Sequence, residues 1–357
     1  MKQVLTQVRR LRVVWLLLLL AAAIAFPQVF SNPAITSIAV LTVIYAAAAT
    51  AWNIFAGYTG YIALGHAVFF GTGAYTLAIL CQDWHVKSDF GPLMLLPIGG
   101  LLAAIIAVPI GAIALRTRSH TFVVITIAIF FVFQLLAYNL RDLTHGSAGL
   151  ELPIPSWTFD VYNPPFYYTG LIILLIALGV SWWVRHSKYG LGLLAIRDDE
   201  DRARGLGVQT FPSKLLAFVV SAFFVGMLGG LWAYYLESIF PPFAFDALFD
   251  VSVALMTFMG GVGTLSGPIL GALILVPAQQ YFVSNPNLSG WYLILYGALF
   301  LVVIFLLPEG IIPTGRKRLT QLFARRRGTP GALASGPPPP LSQPRPVATA
   351  SGEGGAR

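Results

Sequence analysis

The stretch Ser187–Leu215 reads SKYGLGLLAIRDDEDRARGLGVQTFPSKL, and it is the one long polar interruption in an otherwise apolar chain. Apolar runs of about 20 residues flank it, the length that crosses a bilayer. Gly190 and Gly192 come first, followed by a small apolar patch of Leu193, Leu194 and Ile196. Asp198 precedes Arg202, and Glu200 precedes Arg204, by about one helical turn each, with the acid first, an order that favours helix. Gly205 and Gly207 stop that helix, and Pro212 delays the next. The spacing predicts a helix of about three turns held at the membrane surface between two spans. By its residues alone the segment reads either as a solvated connector or as a docking helix for a cytoplasmic partner.

Composition sets the class. Hydrophobic residues make up 57% of the chain and charged residues 10%, with mean hydropathy +0.77. A soluble domain carries roughly 25% charge. The expected fold is therefore all-α, a polytopic transmembrane helical bundle, because in lipid each helix satisfies its own backbone hydrogen bonds. The single cysteine, Cys81, excludes an intrachain disulfide. The net charge of +8 arises from short basic clusters between apolar runs. That is the pattern of topology determinants, and it speaks against a nucleic-acid partner.

Lys2, Arg9, Arg10 and Arg12 precede the apolar run Val13–Phe26, read as an uncleaved first span rather than a cleaved signal peptide. Further spans are expected at about 34–52, 62–81, 92–115, 121–138, 167–184, 214–236, 248–260, 264–283 and 291–307, about ten membrane segments in all. The positive-inside rule places both termini in the cytoplasm. Inside loops then collect Arg116, Arg118, Arg185, Lys188, Arg197, Arg202, Arg204 and Lys214, and the C-terminal cluster Arg316, Lys317, Arg318, Arg325, Arg326 and Arg327. Outside loops hold only Lys87 and Arg141. Residues 247–283 must form two segments for the C-terminus to return to the basic side, and the turn Gly260-Gly261-Val262-Gly263-Thr264-Leu265-Ser266-Gly267-Pro268 supplies the break. The first of the two is short, either spanning or re-entrant.

The chain thus divides into a basic N-terminus (1–12), a transmembrane domain (13–310) with a cytoplasmic loop at 187–213, and a basic, then disordered, Pro/Gly/Ala-rich tail (311–357). The long outside loop 139–166 carries Trp157, Tyr162, Phe166, Tyr167 and Tyr168, read as interface anchors or as part of a surface that receives a partner. Glycine clusters in two places, the 260–271 turn and the run Asn53-Ile54-Phe55-Ala56-Gly57-Tyr58-Thr59-Gly60-Tyr61-Ile62-Ala63-Leu64-Gly65-His66-Ala67. Small residues permit close helix packing, and they also permit unwound backbone beside a cavity. The candidates for a translocation path are accordingly Asn53, Gly57, Gly60, Gly65, His66, Gly260, Gly261, Gly263, Thr264 and Gly267, with Gln134 as a polar group on a neighbouring span.

Several chemistries are absent from the sequence. It has no phosphate-cradling P-loop and no Gly-Lys pair, so no nucleotide cofactor is expected on this chain. It has no His/Cys cluster of metal-ligand spacing, and no catalytic constellation. No Asp, Glu, Lys or Arg is expected in the middle of a span, which argues against a self-sufficient ion-coupled carrier.

Three motifs, in order, resemble the LivH/LivM permease family of branched-chain amino-acid ABC importers. Asn53 to Tyr75 is similar to the family's NLLAGYTGQ.SLGHAAFFGIGAY, Ala195-Ile196-Arg197-Asp198-Asp199-Glu200 with Gly205-Leu206-Gly207 to its AIREDE…A..MG loop, and Gly260–Ala272 to its GGxGTLxGPxxGA. Tyr61-Ile62-Ala63 stands where the family usually has Gln-Leu/Ile-Ser. The resemblance covers about Asn53 to Gly310. It implies a bacterial inner-membrane permease that forms a path for Leu, Ile or Val by alternating access; other members move urea, short amides, other amino acids or aromatic acids. It also implies partners: two ATP-binding cassette subunits that carry ATP-Mg, a second LivH-type permease, and a periplasmic or lipid-anchored binding protein. Under it, Ala195, Arg197, Asp198, Asp199, Glu200, Arg202, Gly205 and Gly207 form the loop that couples to the ATPase.

Overall fold

Asn32 and Pro33 begin the helix on which much of the bundle is assembled. The Asn32 side chain accepts the Ala34 N–H at 3.0 Å, and Pro33 occupies a first-turn position that needs no donor. A computed structural model of the chain describes residues 2–30, 32–86, 89–158, 161–286, 289–306 and 310–315. Contacts divide the chain into two units, 1–314 and 315–357. The basic cluster from Arg316 and the Pro-rich tail lie outside the described residues, as does Lys87.

In chain order the helices are α1 (Lys2–Val29), α2 (Pro33–Trp52), α3 (His66–Asp83), α4 (Gly91–Ala114), α5 (Ser119–Asn139), α6 (Arg141–Thr144), α7 (Asn163–His186), α8 (Lys188–Asp198), α9 (Glu200–Gly205), α10 (Thr210–Leu236), α11 (Pro241–Ala244), α12 (Ala247–Gly260), α13 (Gly267–Ser284) and α14 (Tyr292–Leu306). Each expected segment coincides with a helix. Among the described residues, seven stretches are long and apolar enough to cross a membrane: 33–57, 91–114, 119–139, 163–186, 210–236, 241–260 and 267–284. The chain is a multi-pass, all-α membrane protein. The span expected at 62–81 begins only at His66, and α3 is sheathed by neighbours along nearly its whole length. A helix so enclosed need not be greasy on every face.

Helix α10 is the hub, packed against α3, α4 and α2. Apolar attraction between helices is weak in lipid, so close approach of backbones and dispersion must hold them. The crossing of α3 and α10 shows how: a methyl group on Gly73 would overlap the Gly226 carbonyl. Helices α12 and α13 form a hairpin, with Gly260 against the backbone of Gly267 and Gly271 against that of Met256. The break expected at the glycine turn is therefore present. At about 1.5 Å per residue, α12 rises about 21 Å, short of a hydrocarbon core of about 30 Å. Proline-led α11 extends it, after a break at Phe245–Asp246.

The loops sort into two ends. At one end, Arg118 of the α4–α5 turn lies 3.8 Å from Asp201 of α9, and Arg185 reaches the 260–267 turn. At the other, Asp89 bonds Ser156, and a short antiparallel pair joins β1 (Leu150–Glu151) to β2 (Ser238–Ile239), with Leu150 opposite Ile239. This is the grouping expected from the charge rule. The aromatic residues of 139–166 turn largely inward: Trp157 and Phe166 pack on Tyr234, and Tyr162 donates to the Tyr235 carbonyl and to Glu237.

The polar stretch departs from the single three-turn helix expected of it. Helix α8 starts earlier, at Lys188, where the Ser187 hydroxyl accepts the Gly190 N–H at 3.1 Å. It stops at Asp199, whose backbone is extended (φ −162°) and whose carboxylate caps α9 by accepting the Arg202 N–H at 3.0 Å. An acid that can cap ends one helix and starts another. Consequently Arg202 pairs with Asp199 at 3.0 Å rather than with Asp198, while Arg204 meets Glu200 at 3.4 Å as expected. Pro212 lies inside the first turn of α10 and does not delay it.

Candidate functional site: a junction of two glycine turns and the α8–α9 elbow

The two glycine-rich stretches, far apart in the chain, meet in space. Helix α2 does not end cleanly; it widens into a π turn at Asn53–Gly57. Asn53 sits fully buried within that turn and clamps the other one: its Oδ1 accepts the Gly263 N–H at 2.8 Å, and its Nδ2 donates to the Thr264 carbonyl at 2.9 Å. Thr264 closes its own turn, donating to the Gly261 carbonyl at 2.7 Å and accepting the Gly267 N–H at 3.1 Å. Every buried backbone group left over by a broken helix needs such a partner. Gly263 has φ +74°, and a methyl group there would strike the Arg197 guanidinium.

Arg197 is the third member. From the end of α8 its Nη1 donates to the Gly57 carbonyl at 2.8 Å, and its stem lies against Gly60. From α7, Arg185 donates to the Gly263 carbonyl at 2.5 Å. Two guanidinium groups thus cap carbonyls of the two helix breaks. They fasten the α7–α8–α9 elbow to both.

A second set of contacts lies beside the first. Tyr61 donates to Glu200 Oε2. Lys214, at the start of α10, donates to Glu200 Oε1 at 2.7 Å and to the Tyr61 hydroxyl at 3.2 Å, and its ammonium stands 4.3 Å from the centre of the Tyr61 ring. Lys214 is 2% exposed. Burial pushes the Glu200 carboxyl up, but the bonds from Lys214 and Tyr61 outweigh it and hold Glu200 below the usual carboxylate range. An open cleft of about 550 Å³ lies between this cluster and the α4–α5 turn.

The remaining candidates are distributed as follows. Ala195 is half-buried on α8, Asp198 and Arg202 are exposed, and Gly207 takes φ +87° just past α9. Gly205 has nothing within 4 Å of where a side chain would begin. Gly65 precedes α3 against the Thr126 carbonyl of α5. His66 is fully buried, bonded to the Ser221 hydroxyl at 2.8 Å and ringed by Phe55, Phe69 and Phe218. Gln134 donates to the Phe245 carbonyl at 2.8 Å, supporting the α11–α12 break.

Asp250 bears on the expectation that no charge lies in the middle of a span: it stands near an end of the expected 248–260 segment but centrally in the 241–260 stretch. It sits in the first turn of α12, 2% exposed, and accepts the Ala67 N–H at the start of α3 at 3.0 Å. Among the described residues, neither its Oδ2 nor the neighbouring His66 Nδ1 has a hydrogen-bond partner. The positive end of α3 offsets part of the desolvation. Tyr61, Lys214 and Arg185 also escaped the sequence reading. Lys214 and Arg185 registered only as topology charges, and Tyr61 as a lost glutamine.

Among described residues no group of His, Cys, Asp and Glu is arranged to hold a metal. What the described residues do form is a polar elbow tied by charged hydrogen bonds to two helix breaks.

Comparison with known proteins gives the family. Residues 34–304 match the family described as branched-chain amino acid transport system / permease component. The chain is 28% identical over 331 residues to the high-affinity branched-chain amino acid transport system permease protein LivM of Escherichia coli K12, covering 85% of this chain and 76% of that protein. It is 26% identical over 340 residues to LivM of Salmonella typhimurium LT2 (88% and 78%), and 25% identical over 283 residues to LivH of the same organism (75% and 91%). No solved structure matches. The match spans the junction, the elbow and nearly every membrane helix, and the chain belongs to the branched-chain amino acid transport system permease family.

Proposed function

We propose that this chain is the membrane subunit of an ABC importer for leucine, isoleucine and valine, driven by separate ATP-binding subunits that dock on α8 and α9 at the cytoplasmic face. The observation that carries this reading is the junction itself. An exposed acidic–basic elbow is bonded through Arg197 to the 53–57 break, which Asn53 in turn clamps to the 260–267 turn, so a push on the elbow is delivered to the elements suited to line a path. The names of the relatives support a branched-chain amino acid as cargo. A second LivH-type permease and a periplasmic or lipid-anchored binding protein complete the assembly in this reading, with both termini of this chain in the cytoplasm of a bacterial cell.

Gly205 supplies the test. Because nothing lies within 4 Å of where a side chain would begin, Gly205→Leu should fold like the parent, which size exclusion of the purified chain checks. Docking predicts that it abolishes co-purification with the ATPase subunits and leucine uptake in proteoliposomes. Normal ATP-dependent uptake by Gly205→Leu refutes docking at α9. Leucine movement down its gradient through the isolated chain refutes the subunit reading altogether and favours a stand-alone facilitator.

A further inference from the structure

Resting on the function just proposed, the geometry points to Tyr61, Glu200 and Lys214 as the link that carries movement of α9 into the membrane; we propose that Tyr61 and Lys214 are positioning residues for transport. Helix α9 is short, and most of its other bonds are local or wet. Arg202 pairs with its own cap, and the Arg118–Asp201 pair joins side chains that are 92% and 76% exposed. Exposed pairs of that kind are screened and hold little. Glu200 is different. It receives one bond from Tyr61, in the connection that leads to α3, and another from Lys214, at the head of the hub helix α10. Tyr61 is 6% exposed and Lys214 is 2% exposed, while the Glu200 side chain is 21% exposed, so water competes for these bonds far less than for the surface pairs.

Both receiving elements are stiff. The Tyr61 N–H donates to Thr59 Oγ1 at 3.2 Å, and Trp52 Nε1 of α2 donates to the Ala63 carbonyl at 2.9 Å, so the 58–65 connection is pinned on either side of Tyr61. A displacement of α9 is therefore shared between the junction of the glycine turns, through Arg197, and the entry to α3 and α10, through Glu200. Transport requires the second route as well as the first. Lys214 and Tyr61 touch no cargo; they hold Glu200 so that α9 and the spans move together.

The test uses the complete transporter in proteoliposomes and measures labelled leucine taken up per ATP hydrolysed. Removing a bond to an ionised, part-buried carboxylate weakens the link about tenfold. Tyr61→Phe and Lys214→Met are expected to lower the uptake-to-hydrolysis ratio about tenfold, with Lys214→Arg recovering most of it. A fluorophore on Ile62→Cys, in a Cys81→Ala background, is expected to report ATP-driven movement in the parent and to lose it in Lys214→Met. An unchanged ratio in both Tyr61→Phe and Lys214→Met overturns the proposal. So does uptake and hydrolysis falling in proportion as the complex comes apart on size exclusion, with Lys214→Arg no better than Lys214→Met, since that marks a structural role only. Failure of the underlying functional reading looks different: the parent chain itself then shows no ATP-dependent uptake.

Discussion

Replacing Asn53 by leucine isolates the junction. The side chains are close in size and leucine favours helix, so the change is chemical rather than steric. Two bonds are lost, that from the Gly263 N–H at 2.8 Å and that to the Thr264 carbonyl at 2.9 Å, and both backbone groups remain in a turn that is buried at Gly263 and half-buried at Thr264. An orphaned buried group costs about 1–3 kcal/mol each, which sets an upper bound near 6 kcal/mol for the pair. Polar contacts between helices in membranes average only about 0.6 kcal/mol, because chains unfolded in lipid also find partners, so two give a lower bound near 1.2 kcal/mol. A backbone N–H inside a turn has fewer alternatives than a side chain, and the expected loss is about 2 kcal/mol, roughly thirtyfold in the folded ratio. Steric trapping or detergent unfolding of the purified chain reads it directly. Gly263→Ala should cost a similar amount, about 1–2 kcal/mol from the left-handed backbone alone. Both substitutions free the same turn, so the double variant should cost less than the sum. A loss below about 0.5 kcal/mol for Asn53→Leu, or strict additivity with Gly263→Ala, refutes a single shared junction.

Other outcomes follow from the same geometry. Asp250→Ala strips the α3 N-terminus of its acceptor and should destabilise by about 1–3 kcal/mol, whereas Asp250→Asn keeps an acceptor, removes an unpaired carboxylate oxygen and should match or exceed the parent in the same unfolding assay. Asp199→Ala removes the cap of α9 and should raise hydrogen exchange of the 200–205 amides by an amount equivalent to about 1 kcal/mol, with little effect on α8. Because the Glu200 carboxyl is held below its ordinary 4.5, its bonds contribute fully above that pH and are lost as pH falls through the lowered value; exchange of α9 relative to the intrinsic amide rate at each pH should stay flat from pH 7 to 5 and rise only in more acidic solution. A rise already complete at pH 6 contradicts that assignment.

How much of this was visible in the residues divides by physics. The spans were legible, because length and hydropathy alone decide what crosses lipid. The glycine breaks were legible too: a run such as Gly260-Gly261-Val262-Gly263 cannot continue a helix through a bilayer without help from neighbours. What was not legible is which break meets which. Asn53 and Gly263 stand 210 residues apart, and no periodicity links them. The elbow at Asp199 was misread because Asp198, Asp199 and Glu200 suit a first turn equally well by composition; only tertiary contact of Glu200 with Lys214 and Tyr61 selects the residue that caps. Asp250 was passed over because a lone acid near the end of an apolar run looks like a boundary, and its burial follows from α3 starting directly opposite.

The ion pair between Glu200 and Lys214 invites a stability explanation, and magnitude argues against it. Desolvating two charges costs several kcal/mol, which their attraction only about repays when the geometry is good. Here Lys214 is 2% exposed while the Glu200 side chain is 21% exposed, so the ammonium bears most of that cost. An apolar pair of similar volume, Glu200→Met with Lys214→Leu, should therefore unfold no more easily than the parent, and somewhat less easily if the two side chains pack well. Single replacement of Glu200 should be worse than the double, because it leaves Lys214 buried without its carboxylate. What the apolar pair lacks is direction: methyl groups slide past one another at little cost, whereas a carboxylate gripped by an ammonium and a phenol has one resting place. The double variant should thus be well folded and poorly coupled. A double variant that is both stable and fully coupled would show that shape at this contact suffices, and that the charges serve only to mark the edge of the membrane.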